Sequence, residues 1–199
     1  MLKNPIPQVT NQFQYRAIGI INGKFTPHDN KKLNRGFLSD NKGEIIETVI
    51  LGKALSLLKK HIDLKKSYFW IVYPKNKNTQ NLHLQVTGIW DPYQLNNFPN
   101  DSSKTNFLKL LEELDLTDNY FSIRGELVFV NTKRKEIVIK ICSASKLKNV
   151  KNKNFKLVIN GELSLELLNS FVSLDVTRVG NSLNLIKYEV IEKNLSKKN

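Results

Sequence analysis

Short runs of branched and aromatic residues, separated by polar turns, divide the chain into ten predicted strands. Five lie in each half, and a change to helical spacing follows the third strand of each half. In the first half Asn22-Gly23 predicts a turn after the first strand, and Pro74 predicts the end of the fourth. The predicted strands are 13–21, 35–38, 44–51, 67–73, 82–90, 121–130, 135–142, 155–160, 171–178 and 183–191.

Two stretches have the three-and-four spacing of amphipathic helices. In 52–62, Leu55, Leu58 and Ile62 form the apolar face, with lysines beside it. In 101–115 four apolar side chains repeat at helical spacing behind possible capping residues, which predicts a helix that connects the two halves. A shorter helical turn is predicted at 161–169.

A seven-residue pattern occurs twice, once at the start of each half. FQYRAIG at 13–19 and FSIRGEL at 121–127 both read aromatic, polar, bulky apolar, Arg and small at their first five positions. They lie 108 residues apart, a plausible length for one domain. Each copy falls on the first predicted strand of its half.

Both halves therefore read strand, strand, strand, helix, strand, strand, which resembles the OB-fold, a five-stranded Greek-key barrel. The sequence predicts a mainly β fold with short helices: two tandem OB-like five-stranded barrels joined by a helix. Two other small barrels, or one large antiparallel sheet that shares the connector helix, are the alternatives. The predicted divisions are an extended lead-in at 1–12, barrels at 13–98 and 119–192, a connector at 99–118 and a flexible tail at 193–199.

The formal net charge of +13 favours a polyanionic partner. Lysines outnumber arginines 26 to 5. Since an AT-rich genome also favours lysine codons, part of the charge has an explanation unrelated to binding. Arginine is the residue more often used for bidentate phosphate contacts.

Little in the sequence indicates catalysis, a cofactor or a metal. The single Cys142 excludes an internal disulfide framework and fits a reducing, cytoplasmic compartment. The three histidines are scattered, without a spacing typical of zinc ligands. We find neither a nucleophile elbow nor a phosphate-binding loop, and no apolar run long enough to span a membrane. We therefore expect a protein without enzymatic activity, cofactor, metal or membrane association.

OB barrels bind nucleic acids across strands two and three, between the loops that follow strands one and four. Cations in these loops neutralise phosphates without reading sequence, although a lysine in a loop more often serves solubility alone. Phe37, beside Arg35, is the candidate for stacking on a base. The predicted nucleic-acid-binding residues are Arg35, Phe37, Lys75 and Lys77 in the first half, and Lys133, Arg134, Lys135, Lys151, Lys153 and Arg178 in the second.

The strand at 67–73 is apolar on both faces, which favours burial at an interface. Its residues 68–73 are thus the candidate surface for a protein partner. The leading hypothesis is a non-catalytic protein that binds single-stranded DNA or RNA, mainly through the phosphate backbone. The alternative is an interaction module that docks on a larger assembly such as the ribosome or RNA polymerase. The sequence does not distinguish DNA from RNA.

Overall fold

The computed structural model describes residues 4–76, 82–91, 112, 114, 116–143 and 153–193. These residues form two compact units, each assembled from separate pieces of the chain. The first unit contains 4–7, 19–73, 84–91 and the described residues of 112–120. The second contains 8–18, 74–76, 82–83, 121–143 and 153–193.

The first five strands form a closed ring. Strand β1 pairs antiparallel with both β2 and β4, and β3 pairs parallel with β5, so the order around the ring is 1-2-3-5-4 and back to 1. Helix α1 follows β3. The elements are β1 Arg16–Asp29, β2 Lys32–Asp40, β3 Ile45–Ile50, α1 Gly52–His61, β4 Tyr68–Asn76 and β5 Leu82–Trp90.

The last five strands repeat this arrangement. Strand β6 pairs with β7 and with β9, and β8 pairs parallel with β10, which closes a ring in the order 6-7-8-10-9. A single 3₁₀ turn stands where the first ring has its helix. The elements are β6 Tyr120–Asn131, β7 Glu136–Ser143, β8 Lys153–Asn160, a 3₁₀ turn Leu165–Leu167, β9 Phe171–Val179 and β10 Ser182–Glu192. The predicted pair of OB-like barrels is therefore confirmed.

Strand β1 is longer than predicted, because Asn22-Gly23 is not a turn. The strand continues to Asp29 and the chain turns at residues 30–31. Gly23 is needed for another reason: a Cβ at this position would lie 2.2 Å from the Ser39 carbonyl oxygen on β2. The glycine thus allows two strands to approach closely. Pro74 likewise lies inside β4 and does not end it.

The aromatic strand β4 packs into the core of the first unit. Trp70 is fully buried, and its indole Nε1 donates to the Gly23 carbonyl oxygen at 2.8 Å. The ring of Phe69 packs edge-on against Trp90. Within residues 68–73, Tyr73 is the large side chain left exposed, at 39%. Most of the surface predicted for a protein partner is therefore used inside the unit, and the partner itself stays a prediction.

The helix at 52–62 is confirmed, with a correction to its phase. Leu58 is buried as predicted, but its partner in the core is Ala54, four residues earlier. Leu55 and Ile62 are only half-buried, because the face that packs is centred one residue before the predicted one. Lys59 and the lysine after it are exposed, as expected. The predicted connector helix at 101–115 lies almost wholly outside the described residues.

The two copies of the seven-residue pattern contact each other within the second unit. A guanidinium nitrogen of Arg16 donates to Ser122 Oγ at 2.5 Å, and one of Arg124 donates to the Gln12 carbonyl oxygen at 2.7 Å. The rings of Phe13 and Tyr15 both pack edge-on against Phe171, with centroids 5.6 and 5.1 Å away. Residues 8–18 therefore complete the core of the second unit.

Among the described residues, no helix is both long and apolar enough to cross a membrane. In the same part of the chain, no three His, Cys, Asp or Glu side chains lie together as a metal site would require. Cys142 is a half-buried free thiol on β7.

Candidate nucleic-acid interface

The outward face of β1–β3 in the first unit centres on Phe37. Along β2, Gly36 and Leu38 are buried, so Arg35 and Phe37 point outward between them. Strand register places Phe37 opposite Thr26 on β1 and opposite Glu47 on β3. Phe37 is 44% exposed, and it is one of few large apolar side chains in the unit that is not in the core.

One side of the Phe37 ring is already covered. The imidazole of His28 stacks on it, with centroids 4.5 Å apart and planes inclined by 22°. Arg35 precedes Phe37 by two residues, is exposed and lies on the same face. The arrangement is an aromatic platform with a cation beside it, which is the combination that binds single-stranded nucleic acids. The predicted pairing of Arg35 with Phe37 on one surface is therefore present.

The corresponding face of the second unit centres on Phe129, which sequence reasoning missed. A bulge in β6 interrupts the pairing with β7 between Leu127 and Phe129. Leu127 is buried, and strict alternation would bury Phe129 as well; the extra residue in the bulge turns it outward. Phe129 is 49% exposed and lies opposite Val138, which lies opposite Val158. These three side chains form an apolar row across β6–β8.

Two lysines lie on the same face as this apolar row. Lys140 and Lys156 are directly opposite each other on β7 and β8. Lys140 Nζ lies 2.9 Å from a carboxylate oxygen of Glu126, which also accepts a hydrogen bond from the Tyr15 hydroxyl. Lys156 is exposed. The face therefore presents an apolar strip beside a positive charge that Glu126 balances only in part.

The charges of this cluster support one another. Burial by itself would raise the pKa of Glu126, but hydrogen bonds from Tyr15 and Lys140 outweigh it and lower the pKa. The hydrogen bond to Glu126 raises the pKa of Lys140. Burial, together with the hydrogen bond to Glu126, raises the pKa of Tyr15. At neutral pH the carboxylate is thus ionised, the ammonium is charged and the phenol is neutral.

The turn between β6 and β7 carries three of the predicted cations. Lys133 and Arg134 are exposed, and the Arg134 amide donates to Asn131 Oδ1 at 3.0 Å, which orders the turn. Lys135 has a positive φ of 51°, and its Nζ lies 2.7 Å from Glu162 Oε1. The hydrogen bond to Glu162 raises the pKa of Lys135. Lys133 and Arg134 are therefore better placed for phosphate than Lys135, whose charge is shared with Glu162.

Arg178 does not fit its predicted role. It is 2% exposed, and its guanidinium donates to the Gly180 carbonyl oxygen at 2.7 Å in the turn between β9 and β10. A phosphate contact needs an accessible guanidinium, so we assign Arg178 to the turn and do not retain it in the interface.

Lys75 is also engaged inside the second unit. Its Nζ lies 3.2 Å from the centroid of the Phe155 ring, a cation–π contact, and burial lowers its pKa. Lys77 and Lys151 lie outside the described residues. Lys153 begins β8, where the structure describes the backbone but not the side chain.

A polar cleft of about 160 Å³ adjoins the apolar row. It lies between β7, β8 and the turn that joins β9 to β10, with one residue each from the ends of β4 and β5 that belong to the second unit. Amide side chains are unusually frequent in its wall. The lining residues are Asn76, Leu82, Glu136, Val158, Asn160, Asn181, Ser182 and Leu183.

Comparison with known families agrees with both barrels. Residues 17–97 match the family model of the N-terminal OB-fold domain of PatR RNA-binding protein. Residues 123–192 match a model described as a cyanobacterial OB-fold-like RNA-binding domain, C-terminal. Both matches are to OB-fold domain models, one for each barrel. Together the two matches cover 151 of the 199 residues. A search of curated proteins gave no match.

The two matched regions contain the faces described above. Arg35 and Phe37 lie in the N-terminal match, and Phe129 lies in the C-terminal one. The cleft residues on β7, β8 and β10 also lie in the C-terminal match, whereas Asn76 and Leu82 lie in the N-terminal one. Both models describe RNA-binding domains, so they support the predicted partner class, nucleic acid. The domain boundaries and the individual contact residues given by the sequence stay predictions.

Proposed function

We propose that the protein binds single-stranded RNA on the outward faces of β1–β3 and β6–β8 and catalyses no reaction. One observation carries the proposal. In each barrel an exposed phenylalanine lies on the face formed by the first three strands, with a cation on the same face: Phe37 with Arg35, and Phe129 with Lys156. The match to RNA-binding domains supports RNA as the nucleic acid.

Binding of this kind combines stacking with charge. Each stacked base contributes about 1–3 kcal/mol, whatever its sequence, because every base has a π face. Exposed cations such as Lys133 and Arg134 neutralise phosphates along the strand. A duplex offers neither unstacked bases nor a flexible backbone, so single strands should bind more tightly. The two mechanisms together give an affinity that depends on salt and little on sequence.

The test is fluorescence anisotropy with a labelled 12-nucleotide single-stranded RNA, the same sequence as DNA, and the RNA in a duplex. We expect the single-stranded RNA to bind most tightly. In the double variant Phe37→Ala/Phe129→Ala binding should fall by about 100-fold, if each ring stacks one base. Ile186→Ala is the control, since Ile186 on β10 is 62% exposed but lies on neither face.

Two results would overturn the proposal. The first is a wild-type protein that binds no single-stranded RNA at low salt. The second is a double variant that binds as tightly as the wild type while the folded structure, checked by circular dichroism, is intact. Tighter binding to the DNA strand would leave the two binding faces as proposed but overturn RNA as the assigned nucleic acid.

The second candidate, a protein-docking module, rests on β10. Residues 186–189 are all exposed, and Ile186 and Tyr188 are among the most exposed large apolar side chains of the second unit. An apolar docking surface is insensitive to salt, whereas phosphate contacts weaken steeply with it. Loss of a salt-insensitive complex in Ile186→Ala, with RNA binding unchanged, would favour docking as a separate activity.

A further inference from the structure

We propose that the polar cleft of the second unit is a pocket for one nucleobase whose Watson–Crick edge carries an amino group beside an acceptor ring nitrogen, adenine or cytosine, and that it disfavours uracil. This inference rests on the proposed RNA binding and adds a base preference to it. The cleft, at about 160 Å³, is smaller than the roughly 300–1,000 Å³ of pockets for drug-sized ligands. A single base is the part of an RNA strand that suits such a space.

The cleft continues the surface on which the strand is expected to lie. Val158 belongs both to the apolar row with Phe129 and to the lining of the cleft. Leu82 and Leu183, both buried, supply further apolar lining. An RNA strand with one base stacked on Phe129 can therefore place a neighbouring base in the cleft.

The polar lining of the cleft includes several hydrogen-bond acceptors. Glu136 lies directly opposite Asn160 across β7 and β8, and carboxylate oxygens accept hydrogen bonds. Asn76 Oδ1 is buried and has no hydrogen-bond partner among the residues that the structure describes. The Asn160 amide nitrogen donates to Asn184 Oδ1 at 3.1 Å, which leaves the Asn160 carbonyl oxygen as an acceptor. Such a set requires a ligand that donates, because an unpaired buried acceptor is unfavourable.

Adenine and cytosine meet this requirement with an amino group beside an acceptor ring nitrogen, whereas uracil offers a single N3–H donor between two carbonyl oxygens. Both carry an amino group, N6 in adenine and N4 in cytosine, and carboxylates and asparagines are the side chains that pair with these groups. Uracil has a carbonyl oxygen where cytosine has its amino group. That oxygen would face the carboxylate of Glu136, and two acceptors repel. The amide of Asn181, which offers both a donor and an acceptor, can complete the contact with the ring nitrogen.

The experiment measures the affinity of the full chain for 12-nucleotide oligo(A), oligo(C), oligo(U) and oligo(inosine) by fluorescence anisotropy. Inosine keeps the purine ring of adenosine but has a carbonyl in place of the amino group and an N1–H donor in place of the N1 acceptor, so it separates recognition of the amino group from stacking. We expect oligo(A) and oligo(C) to bind at least about fivefold more tightly than oligo(U), and oligo(A) about fivefold more tightly than oligo(inosine).

The variant Glu136→Gln replaces a pure acceptor with an amide that also donates. It should reduce these preferences to less than about twofold by improving the binding of uracil and inosine, without changing the salt slope. Glu189→Gln is the matched control: it changes the net charge equally, but Glu189 is exposed on β10 and does not line the cleft. Asn181→Ala is a second variant, expected to weaken oligo(A) binding more than oligo(U) binding.

The outcomes are distinguishable. If no oligonucleotide binds, the proposed function fails and the pocket with it. If all four bind equally well, the pocket is wrong and the proposed function stands. A wild-type preference for adenine that is unchanged in both Glu136→Gln and Asn181→Ala would place base recognition elsewhere and overturn the assignment to this cleft.

Discussion

The two barrels share one strand order but present different faces. In the first, the imidazole of His28 stacks on the Phe37 ring, and Arg35 lies on the same face. In the second, Phe129 belongs to an apolar row that leads to a cleft lined with amides. The fold sets where a nucleic acid can lie, and the outward side chains decide what it meets there. The first face offers a stacking ring with a cation beside it, and the second adds the cleft for which we propose base recognition.

The connections between the third and fourth strands of the two barrels differ as well: the first is a helix and the second a 3₁₀ turn. Substitution in this helix gives the largest effect that we expect on stability. Leu58 in α1 is 2% exposed, so Leu58→Ala should lower the free energy of unfolding by about 2–5 kcal/mol. Leu167 lies in a three-residue turn of the second barrel and is 9% exposed, so Leu167→Ala should lower the free energy of unfolding by less. Lys59→Ala is the neutral control, because Lys59 is exposed. Urea unfolding followed by circular dichroism measures all three; equal costs for Leu58 and Lys59 would contradict the packing of α1.

The next prediction separates the two aromatic platforms. Because His28 covers one side of Phe37, we expect Phe129→Ala to weaken single-stranded RNA binding by about tenfold or more and Phe37→Ala by less. His28→Ala should then leave the Phe37 ring open on both sides and not weaken binding. Anisotropy titrations of the three single variants decide the order. A larger loss for Phe37→Ala would reverse the ranking of the two faces.

The exposed cations in the turn between β6 and β7 should contribute to the salt dependence of RNA binding. Lys133→Ala/Arg134→Ala should reduce the slope of log K against log salt concentration by up to about 1.4, at about 0.7 for each lost contact with a single strand. Lys135→Ala should change it less, because Glu162 already pairs with Lys135. Titrations at four salt concentrations measure these slopes. An unchanged slope in the double variant would remove the turn from the interface.

The smallest effect concerns the acid stability of the second unit. The folded-state pKa of Glu126 lies below its ordinary value of 4.5, so its hydrogen bonds contribute stability above about pH 4.5 and lose it as the pH falls through the folded pKa. Glu126→Gln should lower the free energy of unfolding by about 1 kcal/mol at pH 7. It should also make the free energy of unfolding less dependent on pH in the acidic range. Urea unfolding from pH 7 to pH 3 tests this, with Glu189→Gln as the control. Parallel curves for wild type and Glu126→Gln would contradict the cluster.

The sequence alone determined the architecture of this protein. Short runs of branched and aromatic residues between polar turns located all ten strands, and the three-and-four spacing of 52–62 located the helix, because these patterns reflect local backbone geometry. The agreement of the two halves in their order of elements then indicated two OB-like barrels. Arg35 and Phe37 were predicted from their proximity on the second strand, and they lie on one face because no irregularity of β2 lies between them.

Only the tertiary structure revealed the face around Phe129 and the contacts of Arg178 and Lys75. The bulge before Phe129 depends on pairing with β7 and leaves no local signal, so the sequence did not indicate that this ring is exposed. Arg178 and Lys75 look like accessible loop cations in the sequence, yet one holds a turn and the other lies over Phe155. The cleft joins residues from β4, β5, β7, β8 and a turn. Contacts between residues distant in sequence determine burial and partners, and no local pattern encodes them.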